Sequence, residues 1–386
     1  MFARRTEWNL KPNRFSAALE QAKQSQRRIL DLTASNPTEV GLNYDESGIL
    51  QALAPPESLR YEPEPQGLLS AREAVAGYYA ERGASVSPKQ IILTTSTSEV
   101  YSFLFRLLCD PGDEVLVASP SYPLFDLLAG IQDVKLASYP LFYDHGWHID
   151  LHALESAVTA RTRAVLVVHP NNPTGSFVSE AERLSLLKLC AKRELALIAD
   201  EVFLDFVQPG AAAESFARDQ ELALTFTLSG LSKIAALPQL KLAWLVAGGP
   251  AEIRQQAMQR LEVIADTYLS VNAPIQHALR YLLKMGAELR EQLRVRIEQN
   301  LEELDARLAK QKACQRLTTQ GGWYAVLRVP AVQSDEDLVL RLLEKHGVVV
   351  HPGHFYDFPQ EGYLVVSLIP PAGEFRDGIQ KLLQGM

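Results

Sequence analysis

Polar and turn-forming residues follow five short apolar segments of the chain, each at the point where the segment ends. Ligands bind beyond the carboxyl ends of the strands in an open α/β sheet, so groups in register at these ends would share one site. Any one group fits an ordinary loop, but five together predict a ligand site. The groups are residues 94–98, 119–123, 170–175, 200–201 and 229–233.

The first group has the composition of an anion-binding helix start. Ser96, Thr97 and Ser98 lie where a helix beginning near Glu99 would present free backbone N–H groups, and their hydroxyls add further donors. The same residues fit a helix cap with no ligand. The run Asn-Asn-Pro-Thr-Gly at 171–175 is dense in turn formers, and a plain turn explains it when it is considered alone.

Asp200 and Lys233 are the two charged residues of these groups that point to catalysis. Asp200 ends a strongly apolar segment, and a buried carboxylate needs a cationic or hydrogen-bonding partner to stay ionised. Lys233 lies among small residues, where desolvation or a nearby cation would lower the pKa of its amine and favour a nucleophile. A solvated surface lysine is the alternative.

The elements that would position these residues alternate between strands and helices. The apolar segments are too continuous for strands with one wet face, which favours a sheet covered on both sides. A capping box at 179–182 predicts a helix with Leu184, Leu187 and Ala191 on one face. The pattern predicts an α/β fold with a mostly parallel, doubly wound sheet. The predicted strands are 91–93, 115–117, 164–168, 195–199, 224–228 and 242–246.

The C-terminal part predicts a second, smaller domain. Residues 274–312 are rich in Leu, Glu, Arg and Gln and predict one long helix or two in succession. Residues 323–329 and a final strand-helix stretch follow this helical region. We expect a large domain at 41–280 and a smaller α+β domain built from both chain ends, 1–40 and 281–386.

Composition and charge limit the classes of partner that we expect this protein to bind. The 386 residues carry a net charge of −8 and no basic stripe, which argues against nucleic-acid binding. Three cysteines, far apart, make neither a disulfide framework nor a paired metal site, and no apolar run is long enough to span a bilayer. No Gly-x-Gly-x-x-Gly follows a strand, which argues against a nucleotide-binding oxidoreductase. We expect a cytoplasmic protein with no metal, nucleic-acid or membrane partner.

Taken in order, the motifs resemble those of the fold-type-I aminotransferases of class I and II, which depend on pyridoxal 5'-phosphate (PLP). The resemblance covers nearly the whole chain and is far more specific for fold and cofactor than for substrate. Its markers are Leu-Thr-Ala-Ser-Asn-Pro at 32–37, Tyr-Glu-Pro-Glu-Pro-Gln-Gly at 61–67, Pro-Ser-Tyr-Pro at 120–123, Asn-Asn-Pro-Thr-Gly at 171–175, Asp-Glu-Val at 200–202, and Ser-Lys at 232–233 with Leu-Pro at 237–238.

The resemblance implies a role for each matching residue. Lys233 would form a Schiff base with PLP and later move the Cα proton, and Asp200 would pair with the pyridine nitrogen. Asn172 would donate to the phenolic oxygen of the cofactor, and Tyr122 would stack on its ring. The phosphate would be held by Ser96, Thr97, Ser98, Ser232 and Lys241. The family forms homodimers with shared active sites, in which Tyr61 would reach the phosphate of the neighbouring subunit.

Four positions depart from the family pattern. Phe203 stands where a Tyr usually bonds the phenolic oxygen, and Lys241 replaces a phosphate-binding Arg, which keeps the charge but loses bidentate geometry. Ser35 stands near the substrate where a Gly is common. Val365 occupies the position of the Arg that normally clamps the substrate α-carboxylate. Residues considered as replacements are His351, His354, Tyr356 and Arg14, each of which also fits a structural role.

The sequence therefore predicts a PLP-dependent aminotransferase that moves an amino group between an amino acid or other primary amine and a 2-oxo acid, with atypical carboxylate recognition at Val365. A lyase, decarboxylase or racemase on the same fold is the alternative, since the substrate pose decides which Cα bond breaks. A non-enzymatic regulator is a third hypothesis, against which Lys233, Asp200 and Asn172 argue.

Overall fold

The chain alternates helices and short strands along most of its length. The computed structural model describes residues 1–25, 27–218, 221–269 and 271–386. The helices are α1 (Arg14–Gln24), α2 (Glu46–Ala52), α3 (Leu69–Ala80), α4 (Thr97–Leu108), α5 (Phe125–Ile131), α6 (Leu151–Ala157), α7 (Glu180–Arg193), α8 (Leu231–Ile234), α9 (Ala251–Tyr268), α10 (Ala273–Leu308), α11 (Asp335–His346) and α12 (Ala372–Gln384). The strands are β1 (Leu30–Asp31), β2 (Ile91–Thr94), β3 (Glu114–Ser119), β4 (Lys135–Tyr143), β5 (Trp147–Ile149), β6 (Thr162–Val168), β7 (Ala196–Asp200), β8 (Thr225–Gly230), β9 (Ala243–Gly248), β10 (Gln315–Arg316), β11 (Tyr324–Arg328), β12 (Val348–Val349), β13 (His351–Pro352) and β14 (Tyr363–Ser367).

An eight-stranded sheet carries the site. Its order is β2-β9-β8-β7-β6-β3-β4-β5, and the run from β4 to β8 is parallel, whereas β9 lies antiparallel to both β8 and β2. Because two antiparallel steps separate β2 from β8, these strands end at the same edge. The six predicted strands are confirmed. The sequence did not predict β4 and β5, because β4 is largely exposed or half-buried and lacks a continuous apolar run.

Both faces of the sheet are covered, as the sequence predicted. In β7, Leu197 and Ala199 pack into a cluster with α7, and Ala196 and Ile198 pack on the opposite side with residues of α4 and α9. This alternation follows the two-residue period of a strand. The predicted α/β class with a mostly parallel sheet is therefore confirmed.

Helix α7 begins where the capping box predicts, with Ser179 and Glu182 bonded reciprocally. Leu184, Leu187 and Ala191 lie on one face of this helix as predicted, but that face is not the one that packs on the sheet, because Leu184 is 42% exposed. The residues that pack against the sheet include Leu186, Leu187 and Cys190, so the buried stripe is turned by roughly 100° from the centre of that face.

The two chain ends meet in a smaller α+β part. Strands β10-β11-β14-β13 form an antiparallel sheet, and β1 pairs with β12 through Leu30↔Val348. Residues 273–308 form one continuous helix of 36 residues rather than two. The expected domain boundary at 280 falls inside α10, and the division into 41–280 and 1–40 with 281–386 stays a prediction. Among the described residues, no helix combines the length and apolar character needed to cross a bilayer.

Candidate active site

A cavity of about 300 Å³ lies at the carboxyl edge of the large sheet. Asp200 ends β7, Lys233 lies in α8 directly after β8, and Ser96 caps α4 after β2. The strand directions described above therefore bring these residues to one edge. The predicted site residues that line this cavity are Ser35, Ser96, Thr97, Ser98, Tyr122, Asn172, Asp200, Ser232, Lys233 and Lys241.

The N-terminus of α4 faces the cavity as a capped helix end. The Ser96 hydroxyl accepts a hydrogen bond from the backbone N–H of Glu99 at 3.2 Å, and the Thr95 N–H donates to the Glu99 carboxylate at 2.7 Å. The cap predicted as an alternative is thus present. It does not exclude an anion site, because the first backbone N–H groups of a helix have no intrahelical acceptor. Lys241, in a left-handed conformation with φ 50°, lines the same cavity.

The amine of Lys233 lies against aromatic rings in a water-poor setting. Burial lowers the pKa of Lys233 to about 8, although the charge of Asp200 acts in the opposite direction. The Lys233 nitrogen lies 4.7 Å from the centroid of the Trp323 ring and 5.6 Å from that of Phe203. A pKa near 8 gives the neutral amine a substantial population close to neutral pH, which a nucleophile requires.

Asp200 is buried and held by two donors. The Tyr101 hydroxyl donates to Oδ2 at 2.6 Å and the Val202 N–H donates to Oδ1 at 3.1 Å. Burial raises the pKa of Asp200, while Tyr101, Val202 and the charge of Lys233 lower it. The carboxylate therefore has the partners that the sequence argument required.

The loop at 171–175 is a structural turn that also faces the cavity. The Asn171 side chain accepts from the Thr174 hydroxyl at 2.9 Å, and the carbonyl of Gly175 accepts from the N–H groups of Gln320 and Gly321. Gly175 has a φ of 68°, which favours glycine. Asn172 lines the cavity, and its buried Oδ1 has no hydrogen-bond partner among the described residues.

Two predicted site residues lie outside this cavity. Tyr61 is 82% exposed and lines a separate groove with Leu68 and His277. Val365 is 1% exposed in β14, where it is paired with Val326 and His351.

The residues considered as substitutes for the carboxylate clamp have other contacts. Arg14 bonds to Glu336 and Asp337, each at 2.8 Å, on the surface. The His351 ring bonds to the Tyr356 hydroxyl at 3.0 Å, and His354 is exposed with its ring edge-on to Phe355.

Residues 17–372 match the family model described as aminotransferase class I and II. The chain belongs to this aminotransferase family. An alanine aminotransferase of Mycobacterium tuberculosis is 30% identical over 367 residues, which cover 92% of this chain and 85% of the relative. A glutamate-pyruvate aminotransferase, AlaA, of Haemophilus influenzae is 25% identical over 364 residues, covering 92% and 90%.

Solved aminotransferases have the same fold. An Escherichia coli aminotransferase has a TM-score of 0.84 at 25% identity, covering 95% of this chain and 93% of that one. An alanine aminotransferase from Pyrococcus furiosus has a TM-score of 0.86 at 20% identity, covering 96% and 95%, and is similar in fold alone. The predicted family, fold class and enzyme class, a transaminase, are confirmed.

Four aromatic residues of this aminotransferase line or border the cavity without having been predicted: Tyr101, Phe125, Trp323 and Tyr324. Tyr101 lies one helical turn after Thr97, and the i, i+4 spacing on α4 was a usable signal. Trp323 and Tyr324 come from the C-terminal part of the chain, and Tyr324 lines the cavity together with Ser35. Nothing local in the sequence places these two at the cavity.

Proposed function

We propose that this aminotransferase uses PLP attached to Lys233 to move an amino group between an amino acid or other primary amine and a 2-oxo acid. The observation that supports this most strongly is the meeting of Lys233, Asp200 and the N-terminus of α4 in one cavity. PLP carries an aldehyde, a pyridine nitrogen and a phosphate. The amine of Lys233 can react with the aldehyde, the carboxylate of Asp200 can pair with the nitrogen, and the helix N-terminus can bind the phosphate.

The residues fit the cofactor. Ser96, Thr97 and Ser98 offer hydroxyl and backbone donors for the phosphate, with Ser232 and Lys241 beside them. Asn172 also lines the cavity, where its amide nitrogen would donate to the phenolic oxygen of the cofactor. Tyr122, 39% exposed, lines the cavity as an aromatic face for the ring.

When bound, PLP would supply an aldehyde for the Lys233 amine and a conjugated ring that accepts electrons from the substrate Cα. Asp200 would hold a proton on the ring nitrogen by keeping its own negative charge beside it. The free Lys233 amine would take the Cα proton at Nζ and return it, a transfer to which a pKa near 8 is suited. The rings of Trp323 and Phe203 would exclude water from that nitrogen.

Two departures from the family pattern change how this enzyme would bind its cofactor and substrate. Phe203 has no hydroxyl where the family usually has that of a Tyr, so Asn172 would be the remaining donor to the phenolic oxygen. Val365 cannot pair with a carboxylate. We propose that hydroxyls such as those of Ser35 and Tyr324, which line the same cavity, meet the substrate instead of a guanidinium of this chain.

The names of the relatives suggest first substrates. Alanine and glutamate are the amino donors to test, with pyruvate as an acceptor.

A homodimer with shared active sites, in which Tyr61 meets the neighbour, is supported by the exposure of Leu59 (92%), Tyr61 (82%) and Leu69 (54%) on adjoining segments. A cytoplasmic location is supported by Cys109, Cys190 and Cys314, which are all free thiols.

Reductive trapping tests the proposal. Borohydride added to the protein with PLP should increase its mass by one reduced cofactor on the peptide that contains Lys233. The Lys233→Ala variant should not be labelled, whereas Lys241→Ala should retain the label with weaker cofactor binding. Equal labelling of wild type and Lys233→Ala would overturn the proposal.

A donor panel separates the reaction classes. Stoichiometric conversion of the bound cofactor to its amino form, with release of a 2-oxo acid, is expected of a transaminase. Loss of CO2 or racemisation without that conversion would favour the lyase, decarboxylase or racemase alternative, which the family match does not favour.

A further inference from the structure

The hydrogen bond between Tyr101 and Asp200 follows from how the sheet and α4 are built. In β7, Ala196 and Ile198 face the cluster that contains α4, and the two-residue period places Asp200 on that same side. Tyr101 belongs to this cluster and lies on α4 one turn after Thr97. The helix that starts at the proposed phosphate site thus also supplies a donor to the carboxylate, at 2.6 Å.

The Tyr101 ring is fixed by its neighbours. It is 2% exposed and packs edge-on against Phe125, with centroids 5.2 Å apart, and at a tilt to Phe105 at 6.1 Å. Burial raises the pKa of Tyr101 well above its ordinary value, so the phenol stays protonated and donates. A side chain held in this way has little freedom to turn its hydroxyl away from Asp200.

We propose that Tyr101 is a positioning residue that keeps Asp200 ionised and orients its carboxylate toward the cofactor. This rests on the proposed function, in which Asp200 pairs with the ring nitrogen. Tyr101 bonds one oxygen and the Val202 N–H bonds the other, so the carboxylate plane is fixed at both ends. A carboxylate oxygen has more than one lone-pair site, so both retain capacity for a further donor.

In the part of the chain that the structure describes, Lys233 and Tyr122 also interact electrostatically with Asp200, but neither can replace this donor. Lys233 stabilises the carboxylate by its charge, but that charge is lost whenever Lys233 acts as a free amine. The negative charge of Asp200 disfavours ionisation of the Tyr122 phenol, and this effect supplies no hydrogen bond to the carboxylate. The Tyr101 hydroxyl is neutral and remains a donor in every state of Lys233.

Infrared spectroscopy of the cofactor-free protein tests this without any turnover. The carbonyl band of a protonated carboxyl group, assigned to Asp200 by its loss in Asp200→Asn, reports the ionisation of that residue as pH is changed. In Tyr101→Phe we expect the midpoint to rise by about 1 to 2 pH units, since a hydrogen bond to a charged group is lost. Tyr139→Phe is the matched control, because Tyr139 is also buried and its hydroxyl bonds a backbone carbonyl, that of Leu166, at 2.9 Å.

The Asp200 midpoint in Tyr139→Phe should equal that of the wild type, and an unchanged midpoint in Tyr101→Phe would overturn the inference. If Tyr101→Phe does not fold, the wild type still decides the question, because the Tyr101 hydroxyl proton should give a strongly downfield NMR signal that disappears in Asp200→Ala, which has no side-chain acceptor. Persistence of that signal in Asp200→Ala would also overturn it. Reductive trapping tests the proposed function separately, so the two failures are distinguishable.

Discussion

The amine nitrogen of Lys233 lies 4.7 Å from the centroid of the Trp323 indole ring. An ammonium group this close to an aromatic face is attracted to it, so Trp323 favours the charged amine. Burial acts in the opposite direction and is the larger effect, because the pKa of Lys233 falls to about 8 from the model-compound value of 10.5. The indole therefore limits how far the amine pKa is lowered.

Replacing Trp323 by Leu should lower the Lys233 pKa further, by about 0.4 to 1.5 units, because a contact of about 0.5 to 2 kcal/mol that favours the charged form is lost. The measurement is the rate at which an amine reagent modifies Lys233 in the cofactor-free protein, followed by mass spectrometry against pH. In the wild type this rate should rise with pH and level off above a midpoint near 8.

Trp147→Leu provides the control, because Trp147 is also buried and its ring contacts are with Tyr143 and Phe358. Its midpoint should match the wild type. A midpoint in Trp323→Leu that stays constant or rises would show that water entry or another group, and not the indole, controls the amine.

The sequence predicted the parts of the site that strand ends supply. Asp200 and Lys233 each follow a continuous apolar segment, and both strands are buried on both faces, so pattern and position agree. Trp323 could not be predicted, because its place beside Lys233 depends on how the C-terminal part packs. Strand β4 was missed for a related reason: near the edge of the sheet it is only partly covered, and its residues carry no continuous apolar signal.

Gly286 in α10 is a position where a single methyl group should disturb the site. A Cβ there would lie 2.8 Å from Cβ and 2.9 Å from Cα of Ala235, two residues after Lys233. Alanine gains about 1 kcal/mol in helix propensity, but overpacking against backbone costs about 1 to 3 kcal/mol. We expect Gly286→Ala to lower the free energy of unfolding in urea and to weaken PLP binding.

Gly77→Ala is the matched control for that substitution. Gly77 also lies within a helix, α3, but a Cβ there would meet nothing within 4 Å. This variant should be as stable as the wild type or up to about 1 kcal/mol more stable. Equal stability changes in the two variants would contradict the close approach of α10 to residues 234–235.

The carboxylate of Asp205 pairs with two arginines from other segments of the chain, close to α8, the helix that contains Lys233. It accepts from Arg82 at 2.8 and 3.0 Å, and Arg290 of α10 lies 3.3 Å away. Arg290 also donates to the carbonyl of Ile234, next to Lys233, at 2.7 Å. Asp205→Asn would leave the largely buried Arg290 with no counter-charge among the described residues, and Arg82 with only the exposed Glu81, 3.9 Å away. We expect the free energy of unfolding to fall by about 3 kcal/mol.

The comparison for Asp205 is Asp337→Asn, which removes a surface partner of Arg14 whose side chain is 51% exposed. Surface ion pairs contribute little, so this variant should be indistinguishable from the wild type in the same urea titration. A loss of stability in Asp337→Asn as large as that in Asp205→Asn would show that burial does not set the strength of these pairs.

His169, directly after β6, should make the protein sensitive to acid. Burial lowers the pKa of His169 to about 4 from 6.5, so between these values the unfolded chain binds a proton that the folded protein does not. The stabilising contribution of the neutral ring is complete above about pH 6.5 and falls by at most about 1.4 kcal/mol for each pH unit down to about 4. His169→Asn retains an acceptor for the Val178 N–H, which bonds the ring Nδ1 at 3.0 Å, but does not titrate. Urea unfolding measured from about pH 7 to about pH 5 should therefore show a steeper loss in the wild type than in the variant, whereas parallel profiles would mean that other groups cause the acid sensitivity.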